Sequence, residues 1–113
     1  MIAHIVLFRP QAGLTASERD TFVGALEHAL TNIPLIKSAR VGRRVTLGRF
    51  YDQENNQDFP FVAILEFEHE AALKEYLAHP AHKTLGEQFY YAADAALVLD
   101  FEMFDGDRAK DLI

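Results

Sequence analysis

Hydrophobic and polar positions follow two different rhythms along this chain. From Ile2 to Arg9 a β-branched and aromatic run, Ile2, Ile5, Val6, Leu7 and Phe8, stops at Pro10, Gly13 and Leu14, which predicts a strand. Thr15-Ala16-Ser17-Glu18 then has the spacing of a capping box, in which Thr15 and Glu18 satisfy each other's orphan backbone donors. Behind it Phe22, Leu26, Ala29, Leu30 and Ile33 recur at helical intervals until Asn32 and Pro34 end the pattern. From Ile36 to Gly48 the residues Ala39, Val41, Val45 and Leu47 alternate with Ser38, Arg40, Arg44 and Thr46, a second strand. Arg43 falls on its apolar side, which predicts a bulge near Gly42 or a paired arginine. Arg49 to Pro60 reads as a polar loop with Asp52, Glu54, Asn55, Asn56 and Asp58. Phe61 to Glu68 is a third strand, and Glu70 to Ala78 a helix with Leu73 and Leu77 inward, broken at Pro80. A weaker helical stretch runs from Lys83 to Ala93, Ala95 to Phe104 forms the last strand, and Gly106 opens a polar tail.

The order β-α-β-β-α-β predicts a single α+β domain over residues 1–105, with 106–113 as the tail. Its class is ferredoxin-like: one antiparallel four-stranded sheet with helices on one face. Helices on one face leave the other bare, yet the strands are apolar on both sides. Val6 and Phe8 oppose Ile5 and Leu7; Val62 and Ile64 oppose Phe61, Leu65 and Phe67; Ala96 and Val98 oppose Leu97, Leu99 and Phe101. A bare apolar sheet is a large exposed patch, and a second copy across a two-fold axis removes it from water. The pattern therefore predicts a homodimer through the uncovered sheet face.

Composition narrows the picture. Half of the 113 residues are hydrophobic, with nine Phe and four Tyr, so one packed core is available and disorder is not expected. The formal net charge of -6 repels phosphate backbones and anionic headgroups, so neither nucleic acid nor a membrane surface is an expected partner. Arg40, Arg43, Arg44 and Arg49 form a local exception, able to steer an anionic ligand and otherwise a solvated strand and hairpin end. The absence of cysteine removes disulfides, thiolate nucleophiles and thiolate-held zinc. The run Ile2 to Phe8 is too short for a signal peptide's apolar region, and no stretch has the length of a membrane span. A cytoplasmic protein is expected.

Five histidines carry the candidate chemistry. His28 lies on the polar side of the first helix, and His69, between Glu68 and Glu70, is placed to cap the second. His4 shares the Val6 and Phe8 side of the first strand and should be partly buried. His79 and His82 belong to Tyr76-Leu77-Ala78-His79-Pro80-Ala81-His82, where Pro80 fixes a turn that lets His82 swing back toward Tyr76. A neutral imidazole and a phenol hydroxyl placed so can remove a proton next to a carbonyl and hold the enolate. The same residues also suit a plain structural role, satisfying backbone groups freed at the proline. A catalyst predicts Tyr76 and His82 at an enclosed cavity lined by Phe89, Tyr90 and Phe101. His79 and His82 lack the spacing of a helical zinc motif, so no metal site is expected, and no phosphate-binding loop is present.

The opening Ile2-Ala3-His4-Ile5-Val6-Leu7-Phe8-Arg9, the Ile33-Pro34 pair, and Phe67-Glu68 leading to Tyr76-Leu77-Ala78-His79-Pro80-Ala81-His82 resemble the stress-responsive A/B barrel (Dabb) domain, from about Ile2 to Phe104. The resemblance implies a dimeric α+β barrel, in which the sheets of two subunits close on each other, and a small protein associated with stress responses. Many members have no known activity; some are polyketide cyclases that close a ring by intramolecular aldol condensation without a cofactor. By resemblance Tyr76 is the carbonyl anchor and His82 the general base, with His4 a pocket-lining partner. His79 and Phe61 also fall in the implied ligand pocket, Phe61 standing where the cyclase type has a histidine. The readings left open are a domain without catalysis holding a small apolar or carbonyl-containing ligand, a cyclase or lyase, and a cofactor-free monooxygenase of the related barrel type.

Overall fold

The computed structural model describes residues 1–54 and 58–113, so Asn55 and Asn56 of the expected loop lie outside the described residues. Four strands, β1 (Ile2–Pro10), β2 (Ser38–Arg43), β3 (Phe61–Phe67) and β4 (Ala93–Glu102), form one antiparallel sheet in the order β2-β3-β1-β4. The helices are α1 (Ala16–Asn32), α2 (Phe50–Glu54), α3 (Glu70–Leu77) and α4 (Pro80–Ala92). This is the ferredoxin-like arrangement expected.

Register fixes what each face contains. Ile2, His4, Val6 and Phe8 pair with Phe67, Leu65, Ala63 and Phe61 on one side and with Glu102, Asp100, Val98 and Ala96 on the other. Residues directly opposite share a face, and this one receives the helices. Phe8 packs against Phe22 of α1 at 5.9 Å and edge-on against Phe89 of α4 at 5.2 Å, tying three elements together. The other face carries Ile5, Leu7, Val62, Ile64, Leu97, Leu99 and Phe101. There Ile64, Leu97, Leu99 and Phe101 remain 39%, 41%, 43% and 46% exposed.

Local chemistry sets the element ends. Thr15 and Glu18 form both bonds of the capping box, at 3.1 and 3.0 Å. Gly13, with φ 84, makes the turn from β1 into α1 that a side chain would strain. Pro80 does not kink a continuing helix: it is the first residue of α4, a position whose N–H needs no partner, and His79 caps that helix. The helix consequently starts at Pro80, earlier than the pattern from Lys83 indicated. In the 106–113 segment, Gly106–Leu112 forms an exposed 3-10 stretch with a kink at Arg108.

Two expectations for the second strand need correction. β2 stops at Arg43, and Val45 and Leu47, expected within the strand, lie beyond it and are exposed. Its partner β3 begins only at Phe61, so after the Arg44 N–H bonds the Pro60 carbonyl at 2.8 Å no strand remains alongside. The β2–β3 register is also continuous through Gly42, without a bulge, and Arg43 joins no ion pair among the described residues. The irregularity in the sheet lies instead between Arg9 and Pro10, where β1 leaves β4. The expected polar loop contains the short α2, with Asp52 accepting from the Leu47 and Arg49 N–H groups at 2.9 and 3.1 Å.

Phe67 is wholly buried and Leu77 is 40% exposed. Phe67→Ala is therefore expected to cost about 3–5 kcal/mol, and Leu77→Ala roughly 1 kcal/mol. Urea unfolding at fixed protein concentration measures both; equal losses contradict this core assignment.

Candidate active site

The helix-facing side of the sheet gathers an aromatic group at the Ile2 end of β1. Tyr76, on the inner face of α3, lies over Phe67 with ring centroids 5.1 Å apart. The His4 ring meets Tyr76 edge-on at 5.8 Å, and the His82 ring from α4 does so at 4.8 Å. Chain separation is overcome by topology. His4 sits on the central strand, Tyr76 on the helix packed above it, and the turn at Ala78–His79 brings the first turn of α4 back to the same place.

Hydrogen bonds define the tautomers. The Leu77 carbonyl, 3.1 Å from His82 Nδ1, can only accept, so Nδ1 carries the proton and Nε2 keeps a lone pair. Burial lowers the His82 pKa below its ordinary value near 6.5; the Leu77 bond opposes this and the neighbouring His4 adds to the lowering. The third position of α4, at the positive end of the helix dipole, acts in the same direction. Burial also pushes the Tyr76 phenol up to about 12, so it remains a donor at neutral pH. No described protein group hydrogen-bonds the Tyr76 hydroxyl, and no sealed side-chain N or O among the described residues is unpaired; the hydroxyl is thus reached by solvent, although Tyr76 is only 2% exposed.

His4 is buried, and its Nδ1 lies 2.6 Å from Oδ1 of Asp100 on β4. The carboxylate accepts from Nδ1–H, which orients the ring and leaves Nε2 on the side away from β4. Asp100 was not singled out by sequence pattern. Its signal was a carboxylate inside the apolar run Leu97-Val98-Leu99-Asp100-Phe101, at the β4 position directly opposite His4.

Other expected residues lie elsewhere. His79 accepts from the Ala81 N–H at 3.0 Å as the cap of α4, and His69 accepts from Ala72 at 3.1 Å as the cap of α3. Phe89 packs with Phe8 and Phe22 rather than with Tyr76. Tyr90 is 80% exposed against Tyr91, and Phe101 is on the opposite face of the sheet. These three rings do not enclose the histidine pair. A half-open cleft of about 800 Å³ exists, but at the far end of the same face, with Phe8, Phe22 and Phe61 in its wall. Among the described residues no three His, Cys, Asp or Glu side chains are gathered where they could hold a metal ion. No described helix is long and apolar enough to cross a membrane.

Comparison with known proteins gives a consistent result. The family model described as the stress responsive A/B barrel domain matches residues 2–103. The olivetolic acid cyclase of Cannabis sativa is 21% identical over 101 residues, covering 88% of this chain and 94% of the cyclase. A hydroxynitrile lyase from Passiflora edulis superposes with a TM-score of 0.76 at 16% identity, covering 92% of this chain and 94% of the lyase. A dimeric ferredoxin-like protein of unknown function from Thermobifida fusca gives 0.69 at 20% identity, with 90% of each chain covered.

The two shifted groups make stability depend on pH with opposite signs. His82 binds its proton more weakly in the folded state, so its contribution is present above about 6.5 and is lost as pH falls through the lowered value. Tyr76 holds its proton more tightly when folded, so its contribution is lost as pH rises from 10 to about 12. Melting temperatures are expected to fall at both ends, with His82→Gln flattening the acid limb and Tyr76→Phe the alkaline one. Variants whose limbs match the parent contradict these assignments.

Proposed function

This chain belongs to the stress responsive A/B barrel domain family, and from that premise we propose that it is an acid–base enzyme acting on a carbonyl compound, its working groups being its own side chains. The observation that carries the reading is a neutral imidazole, fixed with Nε2 unprotonated, against a buried phenol that keeps its proton.

Chemistry follows from those states. His82 Nε2 takes a proton from the carbon between two carbonyl groups, while the Tyr76 hydroxyl donates to the carbonyl oxygen on which negative charge collects. The enolate carbon then attacks a second carbonyl carbon in the same molecule, forming a carbon–carbon bond. The imidazolium returns its proton to the resulting alkoxide, and His82 is neutral again. His4 is a positioning residue, held by Asp100 and packed against the phenol. The relationship to a cyclase and the fold shared with a lyase support this class, both names denoting bond making or breaking of the kind a base and a donor promote.

The reading includes a homodimer. The exposed apolar residues of the open sheet face favour closure by a second copy, and the fold is shared with a protein described as dimeric. Closing the two faces makes the α+β barrel.

Two measurements test the proposal. With linear β-polyketide analogues as substrates, His82→Ala is expected to lower kcat at least about 100-fold and Tyr76→Phe about 10- to 100-fold, with folding intact by circular dichroism. A panel that the parent protein leaves unchanged, or full activity in His82→Ala, overturns the catalytic assignment in favour of a domain without catalysis. Separately, Leu99→Glu on the open face is expected to give a single subunit by sedimentation, where the parent is a dimer. A monomeric parent removes the barrel.

A further inference from the structure

The cleft of about 800 Å³ lies apart from the Tyr76–His82 pair, and its chemistry is different. It shares the helix-facing side of the sheet, but its nearest β1 residue, Phe8, is four positions from His4, roughly 13 Å along the strand. Pockets for small organic molecules run from roughly 300 to 1,000 Å³, so its size suits a ligand. Phe8, Phe22, Leu26 and Phe61 give it an apolar interior, and the turn around Gly13 borders it.

Two arginines enter this wall along the inward rows of their elements. Arg19, Phe22, Val23 and Leu26 are spaced i, i+3, i+4 and i+7, one face of α1. Arg43 pairs with Phe61 and shares its face, two residues beyond Val41 on the same row of β2. The alternation that made Arg43 anomalous in the sequence thus delivers a guanidinium to an apolar cleft. Neither arginine joins a salt bridge or side-chain hydrogen bond among the described residues, whereas Arg9, Arg44 and Arg108 pair with Asp94, Asp58 and Asp111. Among the described residues no Asp or Glu is part of the lining. In a chain of net charge -6, a cleft with two guanidinium groups and no carboxylate is a local reversal of sign.

We propose that this cleft is a binding site for a small apolar monocarboxylate, the hydrocarbon part lying against Phe8, Phe22 and Phe61 and the carboxylate held by Arg19 and Arg43. Guanidinium groups suit the end group because their planar donors match the two oxygens of a carboxylate. The apolar interior suits the rest, since a fully hydrated dianion gains nothing from aromatic walls. The site stands whether or not His82 is a base, because it uses none of the residues of that pair.

Octanoate and octan-1-ol, matched in chain length and differing in charge, make the test by titration calorimetry at neutral pH and low salt. The parent protein is expected to bind octanoate at least about tenfold more tightly than octan-1-ol. Arg19→Met and Arg43→Met are each expected to weaken octanoate by about three- to tenfold and leave octan-1-ol within about twofold, and the double variant to bind both alike. Both arginines are exposed, so the variants should fold, which their unchanged melting temperatures will confirm. Raising salt should weaken octanoate alone. Equal affinity of the parent for both ligands, no octanoate binding, or a double variant that still prefers octanoate overturns the proposal.

Discussion

Everything at the candidate site hangs on how the central strand is paired. β1 is hydrogen-bonded on both sides, to β3 over Ile2–Phe8 and to β4 over Ile2–Pro10, and its two registers agree on which residues face the helices. A slip of one residue relative to either neighbour would turn His4 toward the open face and send Ala3 or Ile5 into its place. Burial prevents that slip, because Phe8 is locked between Phe22 and Phe89 while the smaller Ala63 fills the neighbouring position on β3. The hydrophobic core thereby fixes the position of a polar side chain four residues away, and Asp100 meets His4 because β4 obeys the same register.

The second constraint is protonation. An imidazole and a phenol in water titrate several units apart, and partial burial widens the gap at Tyr76 and His82 by moving the phenol up and the imidazole down. Both groups are then uncharged at neutral pH, which removes the cost of placing an ion beside Phe67. Such an arrangement also suits acid–base work, because a charge on either group arises only when a reacting molecule supplies or accepts the proton. Stability and reactivity here ask for the same protonation state.

Local sequence carried the parts of this structure that depend on neighbouring residues. The Thr15–Glu18 box, the caps at His69 and the turn at Pro80 involve contacts within a few positions, and alternation in β1, β3 and β4 assigned the sheet faces. Partners distant in the chain were less visible. Asp100 looked like an interruption until the β1–β4 register set it opposite His4, 96 positions away. The end of β2 is hidden from local pattern, because alternation from Val45 to Leu47 says nothing about whether a neighbouring strand extends that far. Phe89, Tyr90 and Phe101 share aromatic character in the sequence, but three-dimensional packing sends them to the core, to solvent and to the opposite face.

The rims of the sheet are charged in opposite senses. β2 is only six residues long and carries Arg40 and Arg43, while β4 bears Asp94, Asp100 and Glu102. Two copies approaching rim to matching rim would bring like charges together, which discourages ladder extension between chains. The unlike rims attract instead, so it is the shortness of β2, and not charge, that limits a ladder running from β2 of one copy to β4 of the next. Apolar surface is concentrated on the open side of the sheet, and in the proposed homodimer its pairing ends with two copies.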